Sequence, residues 1–227
     1  MQVLFAKNRD KALKLPEALK LYWASIDQTF EMFLLNLYVI TEIARVSLED
    51  ETTRKSKYLP SDDDHQFQAK LFKNNIINKL AENKSLSAQF ERLEFSDSVD
   101  MDIIQKIYTY FAKEEVYMNY WNKETSVEQD VEMLLELYRF CRASEFFNEL
   151  LTDHYYLWDS EKSVIIGAVK KVLKNKKMKN SYYLEHKPDK VTTKDFGEAL
   201  LLKTEEIDDE LNEMIIPNLK NWDKDRV

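Results

Sequence analysis

The sequence predicts an all-α protein, a helical bundle, on three observations. The chain of 227 residues contains two glycines and four prolines, whereas proteins on average use about 7% glycine and about 5% proline, so turn residues are too scarce for sandwiches, barrels or doubly wound sheets. Gly167 and Gly197 stand apart, which excludes a glycine-rich loop that could cradle a phosphate. Apolar residues recur three and four positions apart over long stretches, which is the spacing of one helix face.

The composition indicates a globular protein. Hydrophobic residues make up 44% of the chain and charged residues 33%, and no run approaches the roughly 18 apolar residues of a membrane span. The single cysteine, Cys141, and the lack of a secretory leader predict a reducing compartment, most simply the cytoplasm. A net charge of −8 argues against a surface covered with nucleic-acid contacts, so any RNA or DNA site must be local.

The first helix is expected from Glu17 to Val46, because Pro16 suits a helix start. Its apolar face comprises Leu19, Tyr22, Trp23, Ile26, Phe30, Phe33, Leu34, Leu37 and Ala44. A loop is predicted over residues 53–64, which contain Pro60 and three aspartates. A second helix is expected from His65 to Asn83. For residues 85–98 the pattern is ambiguous, and either a short helix or a loop is possible.

Capping patterns place the next helix starts. Asp100 predicts an N-cap for a helix that runs to Trp121. Ser126 and Gln129 form a capping-box pattern, which predicts a helix from there to Leu151.

Three helices and a boundary are expected in the last third of the chain. Residues 159–173 are apolar on nearly every side, so this helix is expected to be the most central one. Pro188 and its polar neighbours mark a boundary. Thr192 and Asp195 resemble another capping box, which predicts a short helix through Leu200, followed by a last helix over residues 206–219.

No combination of residues predicts catalysis, a metal or a cofactor. Helices that hold metals commonly carry Glu-x-x-His or His-Glu-x-x-His spacings, and neither occurs. The aspartates at 62–64, followed by His65, could ligate a metal, but a helix cap near the positive end of the helix dipole explains them more simply. Cys141 is expected to be buried, and His186 to be exposed. The chain is therefore predicted not to be an enzyme.

Two surface features could bind a partner. Tyr155, Tyr156 and Trp158 could stack bases or anchor a protein, although packing into the core is favoured. Six lysines lie within ten residues: Lys170, Lys171, Lys174, Lys176, Lys177 and Lys179. The helix dipole alone favours cations at a helix C-terminus; the alternative is contact with nucleic-acid phosphates, with Tyr182 and Tyr183 stacking on unpaired bases.

Three stretches resemble the NusB family of bacterial transcription antitermination factors, in the long form with an inserted helical region. Residues 1–5 resemble the end of the family's first helix, which reads approximately Ala/Met-x-Gln-x-Leu-Tyr. The middle resemblance runs from Phe147-Asn148-Glu149-Leu150 through Asp153-His154-Tyr155 and Trp158 to Lys162-Ser163 and Gly167-Ala168. The last runs from Asp195-Phe196-Gly197 through Leu211, Ile215, Pro217 and Leu219 to the most specific part, Asn221-Trp222-Asp223-Lys224-Asp225-Arg226-Val227.

The resemblance implies a division of the chain. Residues 1–50 would hold the first NusB-like helices, 51–190 the inserted helical region, and 191–227 further NusB-like helices. The family has an arginine-rich stretch before the first of these segments and more helices after the last. The chain is therefore expected to be a fragment, truncated at both ends.

The resemblance also implies a function. The protein would be a non-catalytic antitermination factor that binds single-stranded boxA-type RNA in ribosomal RNA operons. It would act together with a ribosomal small-subunit protein, and indirectly on RNA polymerase. Phe5 stands where the family has an RNA-contacting tyrosine, so the stacking face would remain without the hydroxyl; Gln2 is a weaker RNA-binding candidate. The alternative is a helical protein-interaction module without RNA binding, using the aromatic residues near Tyr155.

Overall fold

The computed structural model describes residues 12–176 and 179–215, together with Val3, Ala6 and Asp10. Within these residues the chain forms α-helices and one 3-10 helix, without a strand. This confirms the predicted all-α class. None of the helices in the described ranges is both long enough and apolar enough to cross a lipid bilayer.

The helices are numbered in chain order. They are α1 (Leu15–Lys55), α2 (Asp62–Gln66), α3 (Asn75–Ala81), α4 (Lys84–Arg92), α5 (Phe95–Ser98), α6 (Met101–Phe111), α7 (Glu115–Trp121), α8 (Val127–Ala143), α9 (Glu145–His154), α10 (Trp158–Leu173) and α11 (Lys190–Ile215). The 3-10 helix spans Tyr182–His186, between α10 and α11. The chain divides into two compact units, residues 28–187 and residues 1–27 with 188–227.

The most central helix of the larger unit is α1, and the prediction that residues 159–173 would form it is wrong. From Met32 to Ser47 nearly every side chain of α1 is buried, so this part of the helix is covered on all sides. In contrast, Val164 in α10 is well exposed. Counting apolar residues overestimated the burial of α10, because exposure depends on which other helices cover each face.

Side chains from many elements cover α1. Tyr38 packs its ring against Phe90 and Phe95, with centroids 5.3 and 5.6 Å away. Tyr138 of α8 donates a hydrogen bond to the buried Asn36 amide oxygen at 2.9 Å. Tyr108 of α6 donates to Asp50 at 2.8 Å. The core of this unit is therefore organised around a single long helix.

The predicted helix from His65 to Asn83 is interrupted, because residues 67–74 are not helical. The Ala69 N–H donates to the Glu51 carboxylate of α1 at 2.8 Å instead of to a helical carbonyl. The Asn74 side chain then accepts from the Ile76 N–H at 2.9 Å and caps α3. Contacts with α1 thus replace the local helix that the spacing predicted.

The capping predictions near α6 and α8 are confirmed, but both predicted helices are divided. Asp100 accepts from the Asp102 N–H, and Ser126 and Gln129 form a reciprocal capping box. Residues 112–114 separate α6 from α7, and Ser144 separates α8 from α9. The Asn148 amide donates to the carbonyls of Arg142 and Ser144, which stabilises the second break.

The smaller unit contains α11, which is continuous where two helices were expected. It begins before Thr192, and the Asp189 carboxylate accepts from the Val191 N–H at 3.4 Å. Within this unit Tyr22 donates a hydrogen bond to the Thr193 carbonyl at 3.0 Å. Gly197 lies so close to the same ring that an added Cβ would overlap its Cε1 and Cζ atoms.

Candidate nucleic-acid interface

Most of the predicted lysine cluster lies at the C-terminal end of α10 and just beyond it. Lys170 and Lys171 occupy the last turn, and the Lys174 N–H donates to the Lys170 carbonyl at 3.1 Å, which closes the helix. Lys171, Lys174, Lys176 and Lys179 are exposed, and Lys170 is half-buried. Five of the six lysines are therefore in described positions, and they share one short segment.

Contacts with α3 and α4 fix the segment that carries these lysines. Lys79 Nζ donates to the Lys176 carbonyl at 3.1 Å, and the Asn83 amide donates to the Asn180 carbonyl at 2.8 Å. The Tyr183 hydroxyl lies 2.7 Å from Ser85 Oγ. Tyr183 is buried and so cannot stack on a base. It anchors the segment instead, and Lys79 adds a further ammonium group beside it.

The segment is locally positive, with one ion pair among its described residues, that between Lys176 and Glu128 of α8. The hydrogen bond from Lys176 is the main reason that the pKa of Glu128 lies below its ordinary value. Within the described part of the chain no carboxylate lies within 4.0 Å of the ammonium groups of Lys171, Lys174 or Lys179. These three charges are therefore available to an external anion.

His186 borders the segment and is not exposed as predicted. Its ring packs against Phe33 and Tyr182, with centroids 5.2 and 5.6 Å away. Burial lowers the pKa of His186, and the charge of Lys171 lowers it further. Protonation of the imidazole is thus disfavoured beside the lysines.

The remaining predicted RNA-binding residues, Gln2, Phe5 and Lys177, lie outside the described residues. So does the family-like stretch from Asn221 to Val227. The structure therefore brings together Lys170, Lys171, Lys174 and Lys176 of the predicted set.

The aromatic residues near Tyr155 do not form a groove. Trp158 is 1% exposed, and its indole N–H donates to the Asn148 amide oxygen at 3.2 Å. Tyr155 is half-buried and donates to Glu31 at 3.4 Å, whereas Tyr156 is 74% exposed. Trp158 therefore packs into the core, which was the favoured explanation. The prediction of a partner-binding groove built on all three rings is wrong.

The acidic run before His65 lies in the first turn of α2, near the positive end of the helix dipole as expected, but the N-cap is Ser61. Ser61 accepts from the Asp64 N–H, and the Asp64 carboxylate accepts from the Ser61 N–H at 3.0 Å. Cys141 is buried and free, also as expected. In the described ranges no group of three or more histidine, cysteine, aspartate or glutamate side chains is arranged to hold a metal ion.

One cavity of about 610 Å³ lies between the 66–74 segment and the turn after α7. Lys70 reaches into it, but its ammonium group donates to the carbonyls of Tyr120 and Lys123. Asp130, on the same wall, accepts from the hydroxyls of Tyr120 and Thr125. Lys70 and Asp130 are thus each held by neighbouring protein groups rather than directed at a ligand.

A second cationic and aromatic surface, not predicted from the sequence, is formed by Tyr110, Phe146, Lys106 and Lys113. Lys106, Tyr110 and Lys113 are spaced four and three residues apart on α6 and just after it. Helical neighbours have this spacing, so this part of the surface could have been predicted from the sequence. Phe146 comes from α9, and its proximity required the fold.

Comparison of the chain with protein-family models, with curated proteins and with solved structures gave no match.

Proposed function

We propose that this chain is a non-catalytic RNA-binding protein of the antitermination type, with the lysine cluster at the end of α10 as its phosphate-contacting surface. The observation that carries the proposal is the set of exposed lysines, Lys171, Lys174 and Lys179, without a carboxylate within 4.0 Å among the described residues. On a chain of net charge −8 such a patch is a local exception.

Lysine is suited to this role because its ammonium group neutralises phosphates without reading the base sequence. The cluster would therefore supply affinity rather than specificity. Base recognition would come from elsewhere, and the NusB resemblance suggests Phe5 and Gln2 for it. The buried Tyr183 is unsuited to stacking.

The resemblance completes the proposal. The RNA would be a single-stranded boxA-type element, and the partner a ribosomal small-subunit protein of the antitermination complex. The chain would reach RNA polymerase only through that complex, in the cytoplasm.

The experiment is a salt titration of RNA binding. A boxA-like single-stranded RNA and a shuffled RNA of equal composition are titrated with the chain and with the variant Lys171→Gln/Lys174→Gln/Lys179→Gln. Each lost phosphate contact should reduce the slope of log K against log salt by about 0.7, so the slope of the triple variant should be smaller by about 2. The matched control is Lys20→Gln/Lys162→Gln/Lys203→Gln, which removes three exposed lysines elsewhere.

An unchanged slope in the first variant, or equal losses in both variants, would rule out the cluster as the interface. Preference for the boxA-like RNA over the shuffled RNA tests the antitermination assignment separately. Binding without preference would leave an RNA-binding protein of another kind.

A second candidate, the protein-interaction module, has support from α11. Phe196, Leu200 and Ile207 are exposed, and their spacings of four and seven place them on one helix face. Phe196 has the largest exposed fraction of the three, 66%. If Phe196→Ser/Ile207→Ser abolishes binding to the ribosomal small-subunit protein and leaves RNA affinity unchanged, this face is the protein contact.

A further inference from the structure

Two aromatic rings from different helices lie parallel at the surface of the larger unit. Tyr110 of α6 and Phe146 of α9 have ring centroids 6.3 Å apart and ring planes inclined by 4°. Tyr110 is 52% exposed, and Phe146 is half-buried. Part of this aromatic surface therefore faces solvent.

Each ring has an ammonium group close to it. Lys106 Nζ lies 5.8 Å from the Phe146 centroid, and Lys113 Nζ lies 5.7 Å from the Tyr110 centroid. Both lysines are exposed, and in the described residues neither lies within 4.0 Å of a carboxylate. Their spacing explains the placement, because Lys106 is one helical turn before Tyr110 and Lys113 nearly one turn after it.

This combination matches the chemistry of an unpaired nucleotide. A base has an aromatic face that stacks on tyrosine or phenylalanine, and its phosphate carries the charge that a lysine attracts. The exposed half of Tyr110 leaves an aromatic face open to such a ligand, with both ammonium groups nearby. We propose that Tyr110 and Phe146 form a stacking site for an unpaired base of single-stranded RNA, with Lys106 and Lys113 contacting the neighbouring phosphates.

The stacking site differs from the lysine cluster in its expected salt response. Glu145 and Glu149 lie on the same helix as Phe146, and Asp102 lies one turn before Lys106. These acids offset the two lysines, so the local net charge is small. Affinity at this site should come mainly from base stacking, with a shallow salt dependence, whereas the lysine cluster should give a steep one. The proposal does not require the lysine cluster to bind RNA.

The experiment measures the affinity of the whole chain for a short fluorescent oligoadenylate. Tyr110→Leu removes the ring but keeps an apolar side chain, and should weaken binding on the order of tenfold. Tyr110→Phe keeps the ring and should bind like the parent chain. Tyr58→Leu is the matched control, since Tyr58 is a tyrosine 96% exposed in the loop after α1. Thermal unfolding of each variant separates loss of binding from loss of the fold.

Two further measurements locate the site. Inorganic polyphosphate has phosphates but no bases, so it should compete poorly with oligoadenylate in the Lys171→Gln/Lys174→Gln/Lys179→Gln variant. An oligonucleotide that contains 4-thiouridine should cross-link, under light, to peptides that contain Tyr110 or Phe146.

Several outcomes would overturn the proposal: absence of oligoadenylate binding, unchanged affinity in a folded Tyr110→Leu chain, or cross-links confined to other peptides. Unchanged affinity would leave the ring pair as a packing or protein contact. If only the lysine-cluster variant loses affinity, the proposed function stands and the stacking site is refuted. If only Tyr110→Leu loses affinity, the stacking site stands and the lysine cluster is refuted.

Discussion

Lys73 Nζ lies 3.0 Å from Glu51 Oε2, which joins the segment before α3 to the end of α1. The same carboxylate accepts hydrogen bonds from Lys55 and from the Ala69 N–H. Burial raises the pKa of Glu51, but these hydrogen bonds outweigh burial and lower the pKa to about 2. Glu51 therefore stabilises the fold in its ionised form.

This pairing predicts an acid-sensitive contribution to stability. Because the folded pKa lies below the ordinary value, the contribution of Glu51 is complete above about pH 4.5 and is lost as the pH falls towards 2. Glu51→Gln should lower the free energy of unfolding by roughly 1–3 kcal/mol at pH 7, and the difference should shrink on acidification. Urea denaturation at several pH values measures it. The control is the exposed Glu132→Gln; a pH-independent difference would contradict the prediction.

The buried hydrogen bond between Tyr138 and Asn36 should behave as a coupled pair. Tyr138→Phe leaves the Asn36 amide oxygen buried without this donor, at a cost of about 1–2 kcal/mol. In Tyr138→Phe/Asn36→Leu neither polar group remains, so much of that loss should be recovered. Urea denaturation of the four chains forms a double-mutant cycle. Tyr156→Phe, at an exposed tyrosine, should change stability little, and additive losses in the cycle would disprove the coupling.

The two glycines should respond oppositely to the same substitution. Gly167 is exposed within α10, and an added Cβ would meet no atom within 4 Å. Gly167→Ala should therefore stabilise the chain by about 0.5–1 kcal/mol through helix propensity.

In contrast, Gly197→Ala should destabilise the smaller unit, because the new Cβ would overlap the Tyr22 ring. Thermal melts compare the two variants directly. Combining Gly197→Ala with Tyr22→Ala should relieve the overlap and restore α11, as measured by hydrogen exchange of its amides. If Gly197→Ala alone slowed exchange, the close contact would be refuted.

Cys141 should react with thiol reagents only when the chain opens. The thiol is fully buried, and burial raises its pKa, so thiolate is scarce in the folded state. Labelling with a disulfide reagent at pH 8 should be slow in buffer and rapid in urea. Tyr138→Phe should accelerate labelling in proportion to its loss of stability. Rapid labelling of the folded chain would show that the site is accessible.

Local features of the sequence predicted the helix starts at Asp100 and Ser126, because a cap depends on residues within one turn. The sequence did not predict the interruptions at residues 67–74 and at Ser144. At residues 67–74 the backbone bonds to another part of the chain, as Ala69 does to Glu51. At Ser144 the carbonyl accepts from the Asn148 side chain, a contact that helical spacing of apolar residues does not reveal. The burial of α1 on all sides was missed for the same reason, since it depends on helices far along the chain.

In the candidate sites too, local features could be predicted from the sequence and contacts between distant residues could not. A run of lysines is visible in one window of sequence, and its place at the end of a helix followed from apolar spacing. Its anchoring by Asn83 and Ser85 was not visible. The Tyr110 and Phe146 pair joins residues 36 positions apart, so only the packing of α6 against α9 brings them together.

The central position of α1 has a consequence for how the chain is made. Asn36 and Tyr138 are 102 residues apart, and synthesis at 5–20 residues per second separates their emergence by roughly 5–20 s. During that interval the apolar faces of residues 32–47 lack part of their final cover, including α8. Non-local contacts of this kind also slow folding. The nascent first helix is therefore the segment most exposed to aggregation, and the one that a molecular chaperone would need to shield.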